Sequence, residues 1–127
     1  MRRPIKTERA PAAIGPYSQA IKAGGFIFIS GQIPVDPVTG EVVSGDVDAQ
    51  TDRALLSIRS ILEDSGATMQ DVVKTTVFLS SMDYFPAMNE VYSRYFTLEP
   101  PARVTVEVSK LPKGVMVEIE AIAWAGE

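Results

Sequence analysis

Histidine and cysteine are both absent from the 127-residue chain. Without imidazole there is no Ser-His-Asp triad, no histidine-ligated zinc or iron, and no side chain whose unperturbed pKa lies near neutrality. Without thiols there is no disulfide, no cysteine nucleophile and no thiolate metal ligand. Any acid-base catalysis must therefore rely on aspartate, glutamate, lysine or tyrosine.

Long apolar runs and clusters of basic residues are also missing. No stretch approaches the roughly 18 consecutive apolar residues of a membrane span, and the N-terminal MRRPIK leads into polar residues and prolines instead of an apolar signal core. We therefore expect a cytoplasmic protein without a membrane partner. The formal net charge of −4 comes from 16 acidic and 12 basic residues. The basic residues are scattered, which argues against a nucleic-acid partner.

A β-hairpin is the first predicted element. Residues 17–23 and 26–30 flank Gly24-Gly25, a dipeptide that supplies the positive φ angles of a two-residue turn. A loop rich in turn formers follows at residues 34–40, and a short strand is expected at residues 41–44.

Two helices are predicted farther along the chain. Apolar residues recur at helical spacing from Asp46 or Asp48, either of which is a good N-cap, until Gly66 ends the first helix. Asp83 caps the second helix, which must end before Pro100-Pro101. The apolar face of the second helix consists of Phe85, Met88, Tyr92, Tyr95 and Phe96.

Three more strands complete the predicted order β-β-α-β-α-β-β. Residues 72–80 are rich in β-branched side chains, and residues 103–110 and 115–124 are expected to pair through a connection at residues 111–114. This order predicts an α+β fold in which a mixed sheet carries both helices on one face. No repeat, low-complexity tract or composition break divides the chain, so residues 1–127 are expected to form a single domain.

The predicted strands carry apolar side chains at consecutive positions, in residues 26–29, 77–79 and 121–124. Such runs indicate burial on both faces of the sheet, yet two helices cover only one face. Self-association through the other face is the simplest solution, because a monomer would expose an apolar patch larger than roughly a few hundred Å². The alternative is that the chain ends and residues 34–40 cover this face.

One arginine and two glutamates are the charged side chains best suited to chemistry. Arg103, Thr105 and Glu107 share one face of their strand, and Glu118 and Glu120 alternate with apolar residues on the last strand. A solvent-facing edge or a structural ion pair explains each charge taken separately. Together, an arginine and a carboxylate in a partly dry site provide an anion clamp and a group that orients water.

Further candidates lie where the hairpin begins and ends, where side chains and free backbone N–H groups can meet a ligand. They are Tyr17, Ser18, Ser30, Gly31 and Gln32. The alternative is that these residues only form the turns and have no role in binding. On the second helix, Asn89 suits a solvated position, whereas Tyr92 and Tyr95 suit the core.

Four segments form a combined pattern: residues 14–20 (IGPYSQA), 28–34 (FISGQIP), 101–108 (PARVTVEV) and 117–121 (VEIEA). In order and spacing they resemble the YjgF/RidA family over essentially the whole chain. The resemblance implies a chorismate mutase-like fold and a homotrimer with three sites at subunit interfaces. It also implies cofactor-independent hydrolysis of reactive 2-enamino and 2-imino acids, such as 2-aminoacrylate, to 2-keto acids and ammonia.

The resemblance assigns roles to individual residues. Arg103 matches the family arginine that grips the substrate carboxylate, and Glu118 matches the glutamate that orients or activates the attacking water. Glu120 lies outside that role. The matching pocket positions are Tyr17, Ser30, Gly31, Asn89 and Thr105. Position 105 is often cysteine in the family, so the threonine here excludes thiol-based modification.

Other functions stay open at this point. Endoribonuclease or translation-inhibitor activity is also attributed to members of the family, although the acidic net charge argues against RNA binding. A non-catalytic binding protein for small 2-keto acids would use the same Arg103, so the sequence does not separate it from the enzyme. A structural chaperone is a third alternative that no residue supports.

Overall fold

The computed structural model describes residues 2–126, which form a six-stranded sheet and two α-helices. The strands are β1 (Arg2–Ile5), β2 (Ala20–Ala23), β3 (Phe26–Gln32), β4 (Val72–Leu79), β5 (Ala102–Glu107) and β6 (Val117–Trp124). The helices are α1 (Val47–Asp64) and α2 (Phe85–Tyr95). The strand order is β1-β2-β3-β6-β4-β5. Strands β4 and β5 run parallel, and the other neighbouring pairs are antiparallel.

Both helices pack against each other and against one face of this mixed sheet, which confirms the predicted α+β fold. The strands alternate in burial, so every second side chain of β3, β4 and β6 points into the core. The largest fully buried side chains of this core include Ile27, Leu55, Ile58, Ile61, Leu62, Val77, Leu79, Met88, Val117 and Ile119.

The helix boundaries follow the sequence signals closely at α1 and less closely at α2. Helix α1 begins directly after Asp46 and ends shortly before Gly66, whose φ of +85° suits the glycine that stops a helix. Asp83, however, lies in a 3-10 turn (Met82–Tyr84) that precedes α2, and the Ser81 hydroxyl caps this turn by accepting from Asp83 N–H at 3.1 Å. Within the described residues, neither helix has the length and hydropathy that crossing a bilayer demands.

The predicted pairing of the last two strands is wrong, because β4 lies between β5 and β6. Strand β4 offers hydrogen-bonding groups along both edges and takes β5 on one side and β6 on the other. The connection at residues 108–116 therefore crosses the end of β4 instead of forming a hairpin. Val108 N–H donates to the Leu79 carbonyl at 2.9 Å, and Ser80 N–H donates to the Met116 carbonyl at 3.0 Å. Strand β5 also ends at Glu107, earlier than predicted.

Two smaller corrections concern the N-terminal half. Residues 41–44 form no strand, and only an isolated bridge joins Val35 to Val42. Strand β1 was not predicted, because Arg-Arg-Pro-Ile has no apolar alternation. It forms the edge of the sheet beside β2, a position where a proline inside a strand is tolerated.

The face of the sheet opposite the helices, here called the open face, is rich in apolar side chains, as the sequence predicted. Phe26, Phe28 and Trp124 remain 41%, 44% and 41% exposed, so residues 2–126 leave this face incompletely covered. The ring centroids of Phe26 and Trp124 lie 4.8 Å apart. Self-association through the open face stays a prediction.

Candidate functional site

The seven residues predicted to form the site fall into two groups on opposite faces of the sheet. Arg103 and Thr105 share the helix-covered face of β5, and Asn89 approaches them from α2. Glu118 lies on the open face of β6, where the core residues Val117 and Ile119 point the other way. Tyr17, Ser30 and Gly31 lie around the end of β3 next to Glu118.

Arg103 is held in a fixed position by neutral groups. Its Nη1 donates to Asn89 Oδ1 at 2.8 Å, and its Cζ lies 4.8 Å from the ring centroid of Tyr92 and 5.4 Å from that of Phe85. Among residues 2–126, no carboxylate forms an ion pair with it. A guanidinium held by aromatic faces and one amide keeps most of its donors free for an external anion.

The Arg103 side chain borders a cavity of about 410 Å³ at the edge of the sheet. The other lining residues are Asn89, Tyr92, Ser93, Phe96, Pro100 and Pro101. Burial raises the pKa of Tyr92, although a hydrogen bond with Thr75 and the charge of Arg103 act in the opposite direction. Tyr92 is therefore a neutral phenol at physiological pH. The cavity is lined by one cationic side chain, Arg103, and by largely apolar residues, a combination that suits a small organic anion.

Thr105 carries a buried hydroxyl without a hydrogen-bond partner among residues 2–126. It follows Arg103 by two residues on β5, so both side chains leave the strand on the same face. A buried hydroxyl usually finds a partner, because leaving it unpaired costs about 1–3 kcal/mol. This position therefore has hydrogen-bonding capacity that the described fold does not use.

Glu118 is a half-buried carboxylate whose location depends on Gly31. Strand β3 is irregular between Ile29 and Gln32 where it pairs with β6, and this irregularity brings the backbone of Gly31 under the Glu118 side chain. A β-carbon at position 31 would collide with Glu118 Oε2, so a larger residue there would displace the end of the Glu118 side chain. Burial raises the pKa of Glu118, and the charge of Glu120 raises it further. A carboxylate with a raised pKa is a stronger proton acceptor for water.

The segment before β2 covers the end of β3. Ser30 Oγ donates to the Ser18 carbonyl at 2.6 Å, and the exposed Tyr17 borders cavities that also include Ser30 and Gly31. The buried Gln19 holds this segment in place. Its Nε2 donates to the Pro11 carbonyl at 2.7 Å, and its Oε1 accepts from Thr7 N–H at 2.7 Å.

One chain does not bring the two halves of the candidate site together. Arg103, Asn89 and Thr105 form one half beside α2, and Glu118 with Gly31, Ser30 and Tyr17 forms the other half across the sheet. Because the sheet separates them, Arg103 and Glu118 of the same chain cannot bind one small ligand together. A common pocket requires a second copy of the chain.

Sequence reasoning missed the contribution of Tyr92, which it assigned to the core. Tyr92 is indeed buried, yet its ring also supports the Arg103 guanidinium. The signal was its spacing three residues after Asn89, which places both on one side of a helix. As for metals, residues 2–126 contain no group of three Asp or Glu side chains close enough to hold an ion.

Comparison with known proteins agrees with this architecture. The family model described as endoribonuclease L-PSP matches residues 7–125. A RutC family protein of Pyrococcus abyssi is 60% identical over 120 residues, which is 94% of each chain. The 2-iminobutanoate/2-iminopropanoate deaminase of Homo sapiens is 47% identical over 126 residues, 99% of this chain and 92% of the human protein.

Solved structures show the same fold. YyfA of Yersinia pestis, from the Rid protein family, is 46% identical and superposes with a TM-score of 0.95 over 98% of this chain and 99% of its own. E. coli TdcF, solved with bound serine, is 43% identical with a TM-score of 0.92 over 96% of this chain and 98% of its own. The matched length and the shared fold show that this chain belongs to the YjgF/RidA family, which the endoribonuclease L-PSP model describes.

Proposed function

We propose that this protein hydrolyses 2-enamino and 2-imino acids, such as 2-aminoacrylate, to 2-keto acids and ammonia. The observation that carries the proposal is the Arg103 guanidinium, which is fixed by Asn89 and Tyr92 and has no carboxylate partner among residues 2–126. The human relative named as an imine deaminase supports the reaction, and serine bound to TdcF supports a small amino-acid-like ligand. We assign the activity to the cytoplasm.

The site is proposed to form between copies of the chain in a homotrimer. Arg103 and Glu118 lie on opposite faces of the sheet, so Arg103 of one copy must meet Glu118 of another. The exposed aromatic residues of the open face supply an apolar surface for this association. Closure of the interface would also exclude water around the two charges, which strengthens their electrostatic interactions with a ligand.

A 2-enamino acid first tautomerises to the 2-imino acid, as a proton moves from its nitrogen to C3. The reaction then needs little chemical assistance, because the carbon of the C=N bond is already electrophilic. Arg103 binds the substrate carboxylate through two parallel hydrogen bonds and thereby fixes the position of the neighbouring C2 atom. Glu118 accepts a proton from water as the water oxygen bonds to C2. The imine nitrogen takes up that proton and becomes the amino group of a carbinolamine. The carbinolamine hydroxyl then gives its proton to this nitrogen as the C–N bond breaks and the C=O bond forms, which releases ammonia and a 2-keto acid. No step requires a metal or an organic cofactor.

A coupled assay tests the proposal. A dehydratase generates 2-aminoacrylate, and keto-acid release is compared with and without this protein. Arg103→Ala should lower kcat/KM about 100-fold, because it removes two charge-assisted hydrogen bonds. Arg94→Ala is the matched control and should keep the parent rate, since Arg94 is mostly exposed and its one ion pair among residues 2–126 is with Glu90 at 3.9 Å. An Arg103→Ala variant with the parent rate contradicts the assignment.

RNA cleavage is the second candidate, because the matching family model carries the description endoribonuclease L-PSP. The net charge of −4 and the scattered basic residues oppose it. The same protein preparation should therefore bind RNA weakly and show no salt-dependent affinity. Acceleration of keto-acid release would also separate the enzyme from a 2-keto acid binding protein, which would take up the product without accelerating its formation.

A further inference from the structure

A buried hydrogen bond lies directly behind Arg103. Thr75 of β4 is the register partner of Arg103 in the parallel pair β4–β5. Thr75 Oγ1 and the Tyr92 hydroxyl are 2.6 Å apart, and both residues are buried. Tyr92 of α2 thus contacts two neighbouring strands at once, because its hydroxyl meets β4 while its ring faces Arg103 of β5.

This hydrogen bond restrains the ring on which Arg103 rests. Moving the Tyr92 ring would separate the two buried hydroxyls and leave both without a partner, which is unfavourable in the core. Asn89 Oδ1 holds the guanidinium from another direction at 2.8 Å. A long, flexible arginine side chain that is fixed in advance loses less conformational entropy when it binds a carboxylate.

We propose that Thr75 and Tyr92 are positioning residues for the substrate carboxylate and act through Arg103. The Thr75–Tyr92 hydrogen bond fixes the Tyr92 ring, and the ring fixes the guanidinium before the ligand arrives. This assignment rests on the function proposed above, which gives Arg103 the role of binding the carboxylate. A pair that served only core packing would affect the stability of the fold and leave ligand affinity unchanged.

Three variants separate the two roles: Tyr92→Phe, Thr75→Val, and the double variant. The probe is 2-ketobutyrate, a stable 2-keto acid, titrated by calorimetry, with urea unfolding measured in parallel. Each single variant leaves one hydroxyl unpaired and should be destabilised, whereas the double variant removes both and should recover stability. The Kd should rise in all three variants, because a ring without its hydrogen bond restrains the guanidinium less. The rise should be about threefold, since cation–π contacts of this kind contribute modestly. Thr75→Ser keeps the hydroxyl and should retain the parent Kd.

The enzymatic assay provides a second readout. Weaker carboxylate binding of equal size in the ground state and the transition state raises KM and leaves kcat unchanged. Tyr95→Phe is the matched control on the same helix. The Tyr95 hydroxyl binds Asp52 Oδ1 at 2.6 Å and its ring lies 5.5 Å from Arg59 Cζ, so the same chemical deletion there should leave Kd and KM unchanged.

The outcomes distinguish this proposal from the function on which it rests. A double variant that binds 2-ketobutyrate with the parent Kd overturns the positioning role and assigns the hydrogen bond to the core alone, provided that Arg103→Ala abolishes binding. If Arg103→Ala itself still binds 2-ketobutyrate with the parent Kd, the proposed function is overturned and the positioning role with it.

Discussion

At the scale of single residues, the folded monomer disfavours the negative charge of Glu118. Burial and the neighbouring Glu120 raise its pKa above the ordinary glutamate value. The folded state therefore binds this proton more tightly than the unfolded chain, and stability decreases as the pH rises from the ordinary pKa through the raised one. Such an unfavourable charge is typical of a functional position.

Substitution of Glu118 should have opposite effects on stability and activity. Glu118→Gln should raise the free energy of unfolding at pH values above the raised pKa of Glu118, where the glutamate is ionised, and this gain should disappear below the ordinary glutamate pKa. The same variant should lower kcat about 100-fold, because the proton acceptor is lost. Urea unfolding and the coupled assay at several pH values measure both effects.

Glu120→Gln is the matched control for this prediction. It removes a negative charge that raises the pKa of Glu118, so the acid limb of the parent pH–rate profile should move to lower pH while turnover at neutral pH persists. A Glu118→Gln variant with unchanged kcat would remove Glu118 from the mechanism.

At the scale of elements, α1 supports the start of β6, the strand that carries Glu118. The buried Gln50 near the beginning of α1 accepts a hydrogen bond from Met116 N–H at 2.8 Å, just before β6 begins. The connection from β5 has to cross the end of β4 to reach this point. Without a side-chain hydrogen bond to hold it, this long connecting segment would not fix the position at which β6 begins.

Replacement of Gln50 should therefore destabilise the fold. Gln50→Ala leaves the partly buried Met116 N–H without its acceptor, at a cost of about 1–3 kcal/mol. Urea unfolding measures the loss, with Gln70→Ala as the control, because Gln70 is exposed in the 3-10 turn (Met69–Asp71). Equal stabilities of the two variants would show that the Gln50 contact contributes nothing.

At the scale of the whole molecule, the open face gives the proposed trimer its driving force. Aromatic rings cluster there, with the centroids of Phe26 and Phe28 5.8 Å apart and Trp124 packed against Phe26. Burial of such apolar area stabilises association by roughly 25 cal/mol per Å² before the entropic costs are subtracted. The same association would bring Arg103 and Glu118 of different copies into one pocket.

A charge on the open face should dissociate the assembly and abolish activity together. Phe28→Asp places a carboxylate among the aromatic rings, and desolvating it at an interface is unfavourable. Sedimentation should show the parent at three times the chain mass of 13.8 kDa and the variant at one. Val38→Asp, on an exposed loop, is the control and should keep the parent mass. A monomeric parent protein would contradict the interfacial site.

The individual elements were largely predictable because their signals are local. Gly24 has a φ of +60° at the turn between β2 and β3, as expected from Gly24-Gly25, whereas Gly25 does not have a positive φ. The apolar spacing of Leu55, Ile58 and Leu62 matches the buried side of α1. The pairing of strands was harder to predict from the sequence, because β4 lies between the two strands that were predicted to be partners.

The amino-acid sequence was enough to restrict acid-base catalysis to aspartate, glutamate, lysine and tyrosine, because histidine and cysteine are absent, and its family pattern singles out Arg103 and Glu118. The folded chain was needed to show that these two groups lie on opposite faces of the sheet and that Tyr92 and Thr75 lie behind Arg103. The difference arises from how far apart in the sequence the interacting residues lie. Side-chain chemistry and alternation are properties of neighbouring residues, whereas strand order and helix docking depend on hydrogen bonds and packing between distant segments.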